Sequence, residues 1–379
     1  MDMRTKLIHA GFDKKLYDGA SSVPVFQAST FHQPNPLKFG KYCYARVDNP
    51  TRHALETAIA ELEGAKFGFA FASGIAAVSS VLMLFQPGDH LVVGIDIYGG
   101  TYQVLTTVFK QWGLQTTFVD STNLIAVKKA LTPRTKAIII ETPSNPILKI
   151  TDLAAISKIA HENKILAITD NTFMTPFLQK PLDFNFDIVI HSATKYIGGH
   201  SDIVAGLAVT NNKKLAQKLR MIQIAFGAIL GPQDCWLAIR GLKTLAVRIN
   251  TQQESAQQMA LWLLRHPKIK KVYYPGLKNH PGRDIHFKQA KGPGAMIAFE
   301  LKTAASALKF LRSVKIPLVA VSLGSVESIL SYPVVMSHAA MSPKQRRERG
   351  VNDSLIRFSV GLESVDDLKK DFANALKNR

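Results

Sequence analysis

Asp187-Ile188-Val189-Ile190-His191-Ser192-Ala193-Thr194-Lys195-Tyr196-Ile197-Gly198-Gly199-His200 is the stretch that decides the fold. Its apolar start reads as a buried strand, so Lys195 sits where that strand runs out, at the edge of an α/β sheet where ligands collect. Two hydroxyls, Ser192 and Thr194, and the pair Gly198-Gly199 surround the lysine, and the stretch offers it no acidic partner. A lysine so placed can shed its proton and attack a carbonyl, which is Schiff-base chemistry. A solvated lysine after a strand is the other reading of these residues.

Working outward, strand-like runs recur at 91–95, 116–119, 137–140, 166–169, 187–190 and 205–209, with amphipathic segments at 102–112, 124–131 and 153–162 between them. Strands alternating with helices predict a mostly parallel sheet covered on both faces. Before this rhythm, Gly11, Gly19, Pro24, Pro34, Pro36 and Gly40 punctuate an arm that reads as irregular. A helix then starts at Pro50, with Leu55, Ile59 and Leu62 at helical spacing and Gly64 closing it. After about residue 230 the pattern changes to a long helical stretch, 232–265, followed by a smaller α/β unit with strand-like 296–301 and 355–360 and helix-like 304–314. The expected division is an arm over 1–49, a large domain over 50–235 and a C-terminal domain over 236–379.

The chain has 379 residues, 46% of them hydrophobic, enough for a large core. No signal-peptide pattern opens it, and the longest apolar stretch, Ile75 to Phe85, is too short to span a bilayer, so a cytoplasmic protein is expected. Cys43 and Cys235, the only cysteines, can build neither a disulfide framework nor a zinc site, and no metal is expected. The formal net charge of +19 would favour anionic partners, and a polyanion binder is the reading it supports on its own. The basic runs, 266–271, 344–349 and the tail from Lys369, interleave no aromatics, so solvated faces are expected rather than a nucleic-acid surface.

Several strands end in polar residues. Asp170 closes 166–169 and either faces a positive partner or caps the next segment. Ser73-Gly74-Ile75 opens an apolar helix whose free amides and dipole suit a phosphate, though Ser73 can equally be only an N-cap. Ser192 and Thr194 can add hydroxyls to the same anion. Tyr98, ahead of Gly99 and Gly100, can lie flat on a planar ring. Asn145, in Glu141-Thr-Pro-Ser-Asn145-Pro146, offers a donor to an anion.

In order along the chain stand Tyr44-Ala-Arg46-Val-Asp-Asn49-Pro50-Thr51, Ala72-Ser73-Gly74, Tyr98-Gly-Gly-Thr101, Glu141-Thr-Pro-Ser-Asn145-Pro146, Asp170-Asn-Thr172 and Ser192-Ala-Thr-Lys195-Tyr196. They continue with Gly199-His-Ser-Asp202, Leu230-Gly-Pro232, Arg240-Gly-Leu-Lys-Thr244, Ser322-Leu-Gly324, Glu327-Ser328 and Arg357-Phe-Ser-Val-Gly361. The chain thereby resembles, nearly end to end, the γ-family of pyridoxal-phosphate enzymes of cysteine and methionine metabolism: cystathionine β- and γ-lyases, cystathionine γ-synthase, methionine γ-lyase and the homoserine sulfhydrylases.

That resemblance implies the fold-type I architecture, with a mostly parallel seven-stranded sheet in the large domain and a smaller C-terminal α/β domain. It implies pyridoxal 5'-phosphate bound covalently to Lys195, its ring nitrogen paired with Asp170 and its ring stacked on Tyr98. Ser73, Gly74, Ile75, Ser192 and Thr194 would hold the phosphate, and Tyr44 and Arg46 would complete the phosphate site of a neighbouring subunit in a homotetramer. Arg357, with Ser322 and Asn145, would bind the substrate's α-carboxylate, and Lys195 and Tyr98 would move protons.

Gly100 stands where methionine γ-lyases carry cysteine, and Leu323 where some β-lyases carry tryptophan. Glu327 matches a glutamate thought to meet the distal amino group of cystathionine, or else is a structural carboxylate. Ser337-His338-Ala339 replaces the commoner Thr-His-Ala. The expectation is a lyase cleaving L-cystathionine by β- or γ-elimination. The alternative is a cystathionine γ-synthase, which lets cysteine replace the acyl group of an O-acyl-homoserine.

Overall fold

Phe67–Phe71 (β1), His90–Gly94 (β2), Gln115–Val119 (β3), Thr135–Glu141 (β4), Leu166–Asp170 (β5), Ile188–Ser192 (β6) and Gly206–Thr210 (β7) form one seven-stranded sheet, ordered β1-β7-β6-β5-β4-β2-β3. Only β7 runs against its neighbours; the other pairings are parallel. All five residues of β2 and of β7 are buried, as a sheet covered on both faces requires. The computed structural model describes residues 1–339 and 341–377; Ala340 and the last two residues of the basic tail, Asn378 and Arg379, lie outside the described residues.

The helix Pro50–Glu63 starts because the Asn49 side chain accepts from the amides of Thr51 and Arg52, and it stops at Gly64 in the left-handed conformation, φ 74°. Leu55, Ile59 and Leu62 are fully buried on its inner face. Two helical readings need correction. The arm is not irregular throughout: Met3–His9 is a helix, capped by Asp2, with Leu7 buried in the main core. The segment 102–112 is two helices, Gly99–Thr106 and Val108–Gln111, because the hydroxyls of Thr106 and Thr107 donate back to the carbonyls of Tyr102 and Gln103 and bend the backbone between them.

Pro232–Arg265 is a single helix of 34 residues that crosses position 235 unbroken. Beyond it, Ile269–Tyr273 (β8), Met296–Leu301 (β9), Leu318–Val319 (β10), Ile329–Ser331 (β11) and Leu355–Ser359 (β12) form a second sheet ordered β10-β11-β12-β9-β8. One apolar cluster takes in Val189 and Leu207 of the first sheet, Leu242 and Ile249 of the long helix, and Phe299 and Phe358 of the second sheet. The two sheets are therefore held by a shared core. Among the described residues no helix is long and apolar enough to cross a membrane.

Candidate active site

The C-terminal ends of β1, β2, β4, β5 and β6 lie at one edge of the large sheet, and the Ser322–Leu323 loop and Arg357 of β12 face it. Between them opens a cavity of about 420 Å³, a size that suits a small ligand. Ser73, Gly74, Ile75, Tyr98, Asn145, Asp170, Ser192, Thr194, Lys195, Ser322 and Arg357 all line it. Tyr44, Arg46 and Glu327 do not.

Lys195 stands one turn past β6. Its Nζ donates to Ser322 Oγ at 2.7 Å. Burial, helped by the nearby Arg357 charge, brings its ammonium down from 10.5 to about 8. Ser322 is held at φ 84°, a region where a non-glycine residue is strained, and strain of this kind gathers where a side chain must be aimed. The gain is that one residue serves two groups: its hydroxyl meets Lys195 and its carbonyl oxygen accepts from Arg357 Nη2 at 2.6 Å.

Arg357 is 4% exposed. Its Nη1 donates to Asn145 Oδ1 at 3.0 Å and its Nη2 also to Ser331 Oγ at 2.9 Å, while Nε has no partner among the described residues. A buried guanidinium fixed by neutral groups, with no carboxylate in direct contact among the described residues, is a ready receptor for a ligand carboxylate.

Asp170, the last residue of β5, is half-buried because it faces the cavity. Its Oδ1 accepts from the Thr172 amide at 2.9 Å, and burial pushes the carboxyl up from its ordinary range. Thr172 Oγ1 in turn accepts from the Ser192 amide at 2.8 Å, tying β5 to β6. Glu141 stands beside Asp170 in the β4–β5 register and is raised well above its ordinary range by burial and by that neighbouring carboxylate. Its Oε2 accepts from the Tyr98 amide at 2.9 Å, fixing the turn that carries the Tyr98 ring. Sequence reasoning quoted Glu141 and Thr172 within motifs without giving either a task. The signal was there: a carboxylate ending a strand, and a hydroxyl two residues after another.

At the head of the helix Gly74–Leu82, Ser73 does cap, accepting from the Ala76 amide at 3.1 Å, and it also lines the cavity, so its two readings coexist. A Cβ on Gly74 would lie 2.9 Å from both Cβ and Oγ of Ser192, and one on Gly206 would lie 2.1 Å from the Ser73 carbonyl oxygen. Only glycine leaves this cradle open, and the first amides of a helix have no partner within it. Tyr98 is 46% exposed on the opposite wall, and a Cβ on Gly100 would lie 2.6 Å from its ring.

Outside the cavity, Arg46 Nη1 donates to the Ile224 carbonyl oxygen at 2.7 Å and lies over the Tyr44 ring at 5.5 Å. Glu327 accepts from Ser325 Oγ and, at 3.5 Å, from Ser201 Oγ.

An amine poised to lose its proton, a half-buried carboxylate, an anion cradle and an aromatic wall, all at strand ends, define a site for a planar phosphorylated aldehyde. The chain belongs to the Cys/Met metabolism PLP-dependent enzyme family, which matches residues 4–377. It is 51% identical over 375 residues to cystathionine beta-lyase MetC of Bacillus subtilis (strain 168), covering 99% of this chain and 96% of that protein. With cystathionine gamma-lyase of the same organism it shares 47% identity over 378 residues, all of both chains. The crystal structure of cystathionine gamma-lyase from Lactobacillus plantarum complexed with L-serine superposes with a TM-score of 0.96 at 46% identity, covering 99% of this chain and 98% of that one.

The fold is accordingly fold-type I, and the cofactor is pyridoxal 5'-phosphate. The donor set fits that group, since each of its reactive parts has a chemically matched counterpart in the cavity. A polyanion binder, the reading of net charge alone, gives way to an enzyme.

Proposed function

We propose that the chain is a pyridoxal-phosphate-dependent carbon–sulfur lyase that cleaves L-cystathionine by elimination, releasing a thiol, ammonia and a 2-oxo acid. The observation that carries the reading is Lys195 Nζ on Ser322 Oγ, with Arg357 sharing the same serine. The relatives at 51% and 47% identity are lyases, which favours elimination over γ-replacement by cysteine.

The bound cofactor supplies an electron sink for the carbanion at the substrate's α-carbon. Lys195 would hold it, Asp170 would serve its ring nitrogen and Tyr98 its ring. Ser73, Gly74, Ile75, Ser192 and Thr194 receive its phosphate. Arg357, with Asn145 and Ser322, binds the substrate's α-carboxylate through parallel hydrogen bonds and so aims the α-hydrogen at Lys195. Lys195 Nζ would accept the α-proton and hand it on to the departing group, with Tyr98 Oη assisting. Glu327, held outside the cavity by Ser325 and Ser201, would meet the distal amino group only of a substrate that extends beyond the cavity, and is otherwise a structural carboxylate.

The arm 1–49 serves a neighbouring subunit, with Tyr44 and Arg46 completing its phosphate site in a homotetramer built from dimers. Residues 50–235 form the cofactor domain and 236–379 the C-terminal domain, with the helix Pro232–Arg265 as their shared strut. The protein works in the cytoplasm.

Incubation of the purified enzyme with L-cystathionine tests the reading. Released homocysteine identifies cleavage at Cβ, and released cysteine cleavage at Cγ. Synthesis of cystathionine from an O-acyl-homoserine and cysteine, without thiol release, would replace the lyase by the synthase.

A further inference from the structure

Beneath the site, on the far side of β6, lies a polar group that the mechanism above does not use. His191 Nε2 and Glu63 Oε1 are 2.6 Å apart, and both side chains are 0% exposed. Asn171 Nδ2 donates to the same Glu63 oxygen at 3.2 Å and to the Gln179 carbonyl oxygen at 2.9 Å, while Gln179 Nε2 donates to Asn171 Oδ1 at 3.0 Å. His191 Nδ1 and Glu63 Oε2 have no partner among the described residues. Sealing a carboxylate and an imidazole away from water sacrifices hydration that an apolar pair would not lose, and such pairs gather where a charge is needed.

The place is telling. His191 directly precedes Ser192 of the phosphate cradle, Asp170 pairs with Ile190 in the β5–β6 register, and the Asn171 amide donates to the Ile190 carbonyl oxygen at 2.9 Å. The pair thus buttresses the two strand ends that carry Asp170 and Lys195. Two hydrogen bonds from Thr172 and, after them, the nearby His191 favour the carboxylate form of Asp170 against the effect of burial. The groups facing this assembly are Lys180, on the segment after β5, which feels Glu63, and Glu141 of β4, on the other side of Asp170. Glu141 works against the Asp170 charge, and Lys180 lies on the Glu63 side.

We propose that Glu63 and His191 are positioning residues that act through Asp170: their buried pair, tied through Asn171 to the ends of β5 and β6, sustains the carboxylate that Asp170 presents to the cofactor's ring nitrogen. The inference rests on the reading of Asp170 given above. A carboxylate facing Glu141 in a desolvated setting would otherwise drift toward its neutral form, and the ring nitrogen would lose its reason to stay protonated.

The test is magnetic resonance of holoenzyme loaded with pyridoxal phosphate isotopically labelled at its ring nitrogen, whose chemical shift reports the proton directly. In Glu63→Gln and His191→Gln the pH at which that nitrogen loses its proton is expected to fall by about one unit or more. The value of kcat should fall with it while KM stays within about twofold. Combining the two substitutions should add little, since they break one unit. Glu63→Asp, which keeps a carboxylate, should return the titration toward that of the wild type.

Variants that load the cofactor yet titrate like the wild type would overturn the proposal and leave the pair a structural clamp. Asp170→Asn, measured alongside, separates the two levels. If it too leaves the ring nitrogen unchanged, the reading of Asp170 has failed and the proposal falls with it.

Discussion

Lys195 shows how much a single residue can disclose before any fold is known. A lysine after a buried strand, flanked by hydroxyls and glycines, allowed imine chemistry beside a plain solvated lysine, and the structure favours the former: burial and Arg357 bring its ammonium to about 8. The direction fixes the pH dependence. Below that value the amine is protonated and cannot attack; above it the amine is free. Uptake of pyridoxal phosphate by cofactor-free enzyme should therefore accelerate roughly tenfold per pH unit up to about pH 8 and then level off. Stopped-flow absorbance across pH 6–10 would check this, and a flat profile would count against it. Arg357 was legible only through resemblance, because its function depends on Asn145, Ser322 and Ser331. Those partners lie up to 212 residues away in the chain, and local pattern carries no such information. Glu63 and His191 escaped for the same reason, being partners across 128 residues.

Among the elements, those written in long periodic runs were the most legible. The helices over 153–162 and 232–265 begin and end where the apolar spacing and their flanking residues say they should. The strand β1 was missed: Phe67-Gly68-Phe69-Ala70-Phe71 carries a central glycine and runs almost directly into the next helix, so its residues read as that helix's approach. The glycine has a packing cause, since a Cβ there would lie 2.1 Å from the Glu56 carbonyl oxygen. Strands β10 and β11 have two and three residues, too few to show a period. The helix Gly74–Leu82 supports a prediction at this scale. In Gly74→Ala the added methyl meets Ser192, so cofactor affinity should fall about tenfold or more. The melting temperature of the cofactor-free protein should move by no more than a few degrees. Fluorescence titration with pyridoxal phosphate measures the first and calorimetry the second. Unchanged affinity would remove the phosphate from this helix end.

At the scale of the whole molecule, two sheets share one core, and the cavity lies where the large sheet's edge meets Arg357 and the Ser322 loop of the smaller one. Composition and length said that such a core was possible but not that it would be continuous, because continuity depends on the long helix crossing between the sheets. The arm is the other whole-molecule feature. Tyr44 and Arg46 lie outside their own subunit's cavity, as residues serving a neighbour would. Arg46→Ala and Lys195→Ala should each be nearly inactive alone, the first through weakened cofactor binding. When the two are unfolded, mixed and refolded together, activity should recover to about a quarter of the wild type, since half the dimers are hybrids and each hybrid keeps one intact site. No recovery in a mixture that forms dimers would place the arm's residues elsewhere.

All of this depends on one bond, between the Lys195 side chain and the cofactor's aldehyde carbon. Borohydride reduction of the holoenzyme followed by proteolysis and mass mapping tests it most directly. The pyridoxyl group should be found on Lys195 and on no other lysine; its absence from that peptide, or its presence on another residue, would contradict the account.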